Sequence, residues 1–306
     1  MTPKTMKAVV LHAYGGVENL SYEDVPVPAP GPGQVLVKTI AVSVNPIDLK
    51  LRSGAAKDRM PLDLPAILGR DLSGEVAALG GGATDFTVGQ RVMGLVNRSY
   101  AEYVVCNPAE LAPIPEGLDS VEAAALPLVL STGSQIIELA VQPKQGETIL
   151  VTGAAGSVGR VAVFVARHHG AKLIAGVRAK QRVEAASLGA DSIVAIDDET
   201  EIAHLPELDG VADMVDHDVI GRIIPHIRKG GVLGSVLGAP EAAKGRDLRV
   251  HAIMAKPDSA RLAQLAGEVA AGKLKIPIAK RFKLSEIREA HQLAEKGVNG
   301  KILLTP

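Results

Sequence analysis

The residues best suited to chemistry form one run, Gly153-Ala154-Ala155-Gly156-Ser157-Val158-Gly159, set between the apolar Ile149-Leu-Val-Thr and the helix-like Arg160-Val-Ala-Val. A turn with few side chains lets backbone approach a pyrophosphate. The helix that follows offers amides without intrahelical acceptors and the positive end of a dipole. The spacing is G-x-x-G-x-x-G rather than G-x-G-x-x-G, so its meaning comes from context: a strand before it, a helix after it, and a longer alternating pattern around both. The bland reading of the same glycines is a tight turn that needs them for packing alone.

A dinucleotide site of the NAD type carries Asp or Glu at the end of the next strand, about 20 residues on, to hold the ribose hydroxyls. At that distance from Gly159 stands Arg178, closing Leu173-Ile-Ala-Gly-Val177, and the first carboxylate after it is Glu184. An acid there would repel a 2′-phosphate. Arg178, helped by Lys180 or Arg182, would attract one through charge-assisted hydrogen bonds. The expected cofactor is therefore NADP(H); a solvated surface arginine is the competing account of Arg178.

Other reactive residue types are sparse. The single cysteine, Cys106, follows a strand-like Glu102–Val105 and reads as a small buried side chain, and no internal disulfide can form. The eight histidines include no i, i+4 pair, and His168 and His169 point to different sides of a helix. His217, within Asp216-His-Asp218 after the fourth strand of the alternating region, lies at the edge where such sheets bind ligands. It reads as a proton donor near neutral pH or, more simply, as an exposed loop residue.

The elements that must position these groups follow from periodicity. Before Ser120 the chain is strand-like and punctuated by Gly and Pro, with runs at Lys7–Leu11, Gln34–Ile40, Gly74–Leu79, Arg91–Leu95 and Glu102–Val105. Ser120 is placed as the N-cap of an Ala-rich helix. From Thr148 strands and helices alternate: strands at Thr148–Val151, Lys172–Val177, Ser192–Ile196, Ala212–Val215, Val232–Leu237 and Leu248–Met254, with helices at Ser157–His169, Ala179–Leu188 and Ile220–Arg228. That order implies right-handed crossovers and a parallel, doubly wound α/β sheet. Helices at Asp258–Ala271 and Leu284–Glu295 and a strand at Lys301–Leu304 close the chain.

Composition narrows the function classes. With 306 residues, 47% hydrophobic and a formal net charge of −1, the chain has room for two domains. It lacks the basic excess of a nucleic-acid or membrane-surface binder. No apolar run approaches the ~20 residues of a membrane helix, so the expectation is a soluble cytoplasmic protein acting on a small molecule.

Short-chain dehydrogenases are disfavoured, because none of the four tyrosines is followed four places later by Lys. Met6-Lys-Ala-Val, Val44-Asn-Pro-Ile-Asp48, Arg52-Ser-Gly54, Gly69-Arg-Asp-Leu-Ser-Gly-Glu-Val76, Phe86-Thr-Val-Gly-Gln-Arg-Val92, Gly153–Gly159, Leu188-Gly-Ala-Asp191 and Gly300-Lys-Ile-Leu-Leu-Thr together resemble the medium-chain dehydrogenase/reductase superfamily, in its zinc-free quinone oxidoreductase branch. The resemblance implies a GroES-like β-barrel catalytic domain from residues 1–122 and 272–306, with a Rossmann NADP-binding domain at 123–271 between them, and a homodimer. It places Asn45 and Asp48 beside the nicotinamide as the catalytic candidates and Thr132 near the cofactor. Asn45-Pro46 is also a plain turn signal and Asp48 a plain helix cap. Asn45 stands where zinc-dependent relatives have Cys, and Arg70 where they have His, so no metal is expected. Thr132-Gly133-Ser134 lacks the aromatic residue common at that place in the family. The implied activity is hydride transfer from NADPH to a quinone-like acceptor. An enone or enoyl reductase and a non-catalytic, crystallin-like NADPH-binding protein stand as alternatives.

Overall fold

A computed structural model of the chain describes residues 2–306. It divides into two compact units, one formed by Met1–Leu128 with Pro257–Pro306 and the other by Val129–Lys256. These boundaries differ from the expected 123–271 for the nucleotide-binding part. The helix Ser259–Ala270 falls outside it, because it packs on the strand Leu111–Pro113 of the other unit.

In the Val129–Lys256 unit, apolar runs such as Thr148–Thr152 and Lys172–Val177 are buried along almost their whole length, as strands covered on both faces must be. They build a parallel sheet in the spatial order Ser192–Ala195, Lys172–Val177, Thr148–Thr152, Leu208–Asp213, Ile227–Ser235, Leu248–Ala252. Strand order reverses between Thr148–Thr152 and Leu208–Asp213, and ligands bind at the carboxyl ends of strands flanking such a reversal. The helix Ser157–His168 buries Val161, Ala162, Val165 and Ala166. The helix expected at 179–188 is in three short pieces, Ala179–Gln181, Arg182–Ala185 and Ala186–Leu188, and stops at Gly189 with φ 76°. The helix expected near 220–228 is instead His217–Ile223, giving way to a 3₁₀ turn Ile224–His226. Pro225 has no amide hydrogen to continue it.

In the other unit, Val35–Val44 is flanked by Asp71–Leu79 and Lys301–Thr305, both antiparallel to it; Ile278–Lys283 extends one side, and Arg91–Leu95 with Leu111–Pro113 the other. Leu20–Pro26, Thr5–Leu11 and Ala66–Ile67 form a second sheet, and its Ala8 makes an isolated bridge to Ala101, just before the strand Tyr103–Cys106 that pairs with Val35–Val44. Val9, Leu20, Leu72, Val92, Tyr100 and Leu304 are among the side chains that fill the core. The helix Ser120–Ala123 is capped by Asp119, not Ser120: the Asp119 carboxylate accepts from the Val121 and Glu122 amides. Among the described residues no helix is long and apolar enough to cross a membrane.

Candidate active site

The three glycines of the 153–159 loop do different work. Gly153 sits at φ +63°, where a side chain would be strained. A Cβ on Gly159 would lie 2.2 Å from the Gly153 carbonyl oxygen and 2.7 Å from the Ala154 Cα, so the loop can fold back against the helix only without one. Gly156 has an ordinary φ of −73°, and a Cβ there would meet only the Gly153 oxygen, at 3.2 Å. Fold geometry therefore demands the first and third glycines and barely constrains the second. The second is the position at which a pyrophosphate approaches the backbone in a dinucleotide turn. Gly156 caps the helix Ser157–His168 without a side-chain acceptor. The first amides of that helix are left for a ligand or solvent.

Ala154 and Ala155 are buried, while Ser157 and Val158 are half-buried at the helix start. A Cβ on Gly133 would meet the Val158 oxygen at 2.8 Å and the Val161 Cβ at 2.5 Å. The missing side chain thus lets the helix carrying the nearly buried Thr132 lie directly on the helix that follows the loop.

Arg178 and Lys180 are exposed beyond the strand Lys172–Val177. Arg182 is committed differently: its guanidinium pairs with Glu201, whose carboxylate also accepts from the Ala195 amide at 2.8 Å. Arg160, within the nucleotide helix, is 8% exposed; it donates from Nε to the Ala155 oxygen at 3.0 Å and pairs with Glu184. His217 begins its helix exposed, with Asp216 as the N-cap accepting from the Val219 amide at 2.8 Å.

Sequence reasoning missed a buried carboxylate at the strand ends. Asp213 is 1% exposed and accepts from Thr152 Oγ1 at 3.0 Å and from Ser235 Oγ at 2.9 Å. Thr152 Oγ1 in turn accepts from the Met214 amide at 2.9 Å. Burial pushes the Asp213 carboxyl above its usual range, against these hydrogen bonds. This clamp ties the carboxyl ends of Thr148–Thr152, Leu208–Asp213 and Ile227–Ser235 together at the strand-order reversal. Its sequence signal was a lone acid ending the apolar Gly-Val-Ala run.

In the other unit Asn45 and Asp48 come together as the start of the helix Pro46–Ser53. Pro46 occupies the first helical position, the Asn45 amide donates to Asp48 Oδ2 at 2.9 Å, and the Asp48 amide donates to the Asn45 oxygen at 2.9 Å. Both side chains are buried, Asn45 at 2% exposure and Asp48 at 0%. Asn45 Nδ2 donates to Asp71 Oδ2 at 2.9 Å and Asn45 Oδ1 accepts from Lys301 Nζ. Asp71 also accepts from Lys301 Nζ at 3.1 Å, from the Leu128 amide at 2.7 Å and from Ser43 Oγ. On the far side of Asp48, Tyr100 donates its hydroxyl to Oδ2 at 3.1 Å, and His291 Nε2 lies 3.4 Å from the same hydroxyl. Burial pushes the Asp48 carboxyl up to about 6. It also pulls His291 down to about 3, helped by the neighbouring Arg52 charge. Cys106 is buried and its thiol is pushed up by that burial. Arg70 Nη1 donates to Asn97 at 2.8 Å, so the guanidinium that replaces a possible ligand has its own partner.

Residues 31–116 match the model of the alcohol dehydrogenase GroES-like domain, and residues 188–304 that of the zinc-binding dehydrogenase. The NADPH-dependent alkenal/one oxidoreductase, chloroplastic, of Arabidopsis thaliana is 33% identical over 253 residues, 78% of this chain and 64% of that one. The quinone oxidoreductase of Pseudomonas aeruginosa is 30% identical over 326 residues, 98% of this chain and 99% of that one. The solved structure of the quinone oxidoreductase from Coxiella burnetii superimposes with a TM-score of 0.90 at 30% identity, covering 99% of this chain and 100% of that one. The chain spans 64% of the plant protein's length and 52% to 56% of the mammalian quinone oxidoreductases it also matches.

Proposed function

This chain belongs to the quinone oxidoreductase branch of the medium-chain dehydrogenase/reductase superfamily, and on that premise we propose that it reduces quinones or related conjugated carbonyls with NADPH and without zinc. The observation that carries the reading is the division of labour among the glycines: Gly153 and Gly159 answer to backbone geometry, and Gly156 is left free of a side chain where a pyrophosphate would approach.

The residues present suit a phosphorylated dinucleotide. Ser157 and Val158 hold the pyrophosphate with helix amides, and Gly156, whose own amide donates to the Gly153 oxygen at 2.9 Å, lets it approach the backbone. Arg178 and Lys180, exposed at the strand end, hold the 2′-phosphate. NADPH supplies a hydride when bound. Asn45 and Asp48 contribute by fixing the start of the helix Pro46–Ser53; their side chains are buried and committed to Asp71, Lys301 and Tyr100.

Zinc does not suit the residues at the two positions where zinc-dependent relatives have Cys and His. Asn45 brings an amide and Arg70 a guanidinium, and an ammonium from Lys301 is lodged against Asn45 Oδ1 and Asp71 Oδ2. A lysine charge there opposes a second cation. Quinones and enones accept hydride without such a Lewis acid, needing hydrogen-bond donors for the developing oxyanion.

A reading restricted to 2-alkenals and enones is favoured by the likeness to the plant alkenal/one oxidoreductase. An acceptor panel of quinones, 2-alkenals, enones and saturated aldehydes, followed by loss of NADPH absorbance with and without chelator, tests both. Turnover of quinones that survives chelation supports the proposal. Turnover of alkenals alone selects the restricted reading, and no turnover with any acceptor, or activity lost on chelation, rejects the proposal.

A further inference from the structure

We propose that Arg160 is a specificity-determining residue that masks Glu184 and thereby keeps the adenosine end of the site open to a 2′-phosphate. This rests on the NADPH reading above. Glu184 is the first carboxylate after the strand Lys172–Val177, and it follows Arg178, Lys180 and Arg182. Without the Arg160 charge beside it, this acid would act in two ways of the same sign. It would repel the phosphate directly, and it would recruit Arg178 or Lys180 as its own counter-ion and take them from the ligand.

Arg160 prevents both. Its guanidinium pairs with Glu184 through Nη2 and donates through Nε to the Ala155 oxygen at 3.0 Å. The Glu184 carboxylate is thereby held one guanidinium away from the glycine loop. The Arg160 side chain is only 9% exposed, against 31% for Glu184, so the arginine is the fixed member and the acid is the one it restrains. A lysine at 160 would have to bring both contacts to one nitrogen, where arginine's planar fork divides them between Nε and Nη2.

The structural alternative is that Arg160 merely ties the loop to the helix Arg182–Ala185. It predicts equal losses for NADPH and NADH, whereas masking predicts a change in their ratio. Dissociation constants for both nucleotides are to be measured for the parent, Arg160→Met, Glu184→Gln and the double variant. Masking predicts that Arg160→Met weakens NADPH about tenfold or more while NADH changes by less than about threefold, the size of one charge-assisted contact. It also predicts that the double variant returns to within about threefold of the parent for NADPH, and that Glu184→Gln alone binds NADPH at least as tightly as the parent. Equal losses of the two nucleotides in Arg160→Met, no recovery in the double variant, or a loss of NADPH preference in Glu184→Gln overturns the proposal. The last of these can be read even where Arg160→Met does not fold. A parent protein that binds neither nucleotide, or prefers NADH, defeats the underlying cofactor reading instead, so the two failures are distinguishable.

Discussion

Lys301 Nζ lies 3.1 Å from Asp71 Oδ2, with the lysine side chain 6% exposed and the aspartate 0%. The pair exists because Lys301–Thr305 and Asp71–Leu79 both run antiparallel to Val35–Val44, on its two sides. Removing one member of a buried pair leaves an uncompensated charge, at a cost of about 3–5 kcal/mol. Lys301→Met should fall at the low end of that range, because Ser43, Asn45 and the Leu128 amide still donate to Asp71. Asp71→Asn combined with Lys301→Met should cost less than Lys301→Met alone. Urea unfolding of the three variants checks this, and a Lys301→Met loss under about 1 kcal/mol would show that the charge is not buried as described.

Much of this was legible in the sequence, and the reason is local. The glycine loop and its flanking strand and helix are specified by residues within one short stretch, so type and spacing suffice. The buried pair could not be read the same way. Lys301 and Asp71 are separated by 230 positions and meet only through strand order. A charged residue opening the apolar Ile-Leu-Leu run was the one available hint. Asn45 and Asp48 were visible both as catalytic candidates and as a turn and a cap signal; their hydrogen bonds set Asn45 at the N-cap and Asp48 at the third helical position. The Arg160–Glu184 pair escaped because each residue alone looks like ordinary helix surface.

The glycines of the nucleotide loop should separate by phenotype. Gly159→Ala forces a Cβ to within 2.2 Å of the Gly153 oxygen, a backbone atom with little room to yield. Overpacking of this kind costs about 3 kcal/mol or more. Gly156→Val places its Cβ where only one neighbour, at 3.2 Å, is close. It should change stability by less than about 1 kcal/mol while abolishing NADPH binding. Thermal unfolding beside an NADPH titration distinguishes them; a Gly156→Val protein that binds NADPH normally removes the loop from the site.

Arg178→Asp replaces an attraction for the 2′-phosphate with a repulsion. Losing one hydrogen bond to a charged group costs about 1.5–3 kcal/mol, so NADPH affinity should drop about 10- to 100-fold, with NADH nearly unaffected. Arg182→Ala should do less, since its guanidinium is already occupied by Glu201. Parallel titrations with both nucleotides decide it, and equal losses for the two would reject the phosphate assignment.

His291 and Asp48 should give the protein opposing acid responses. The His291 folded value, about 3, lies below the ordinary 6.5. Its contribution is therefore full above pH 6.5 and is lost as pH falls toward 3, by about 2 kcal/mol at pH 5. The Asp48 folded value, about 6, lies above the ordinary 3.8. Its contribution is full below pH 3.8 and is lost as pH rises through 6, so the parent gains about 1 kcal/mol from it between pH 7.5 and pH 5. Each variant cancels one response. The stability deficit of His291→Gln relative to the parent should shrink by about 2 kcal/mol between pH 7.5 and pH 5, and that of Asp48→Asn should widen by about 1 kcal/mol. Denaturant unfolding at the two pH values measures both differences. A His291→Gln deficit that stays constant across the window would mean that the imidazole is solvated, and that the hydrogen-bonded chain from His291 through Tyr100 to Asp48 is open to water.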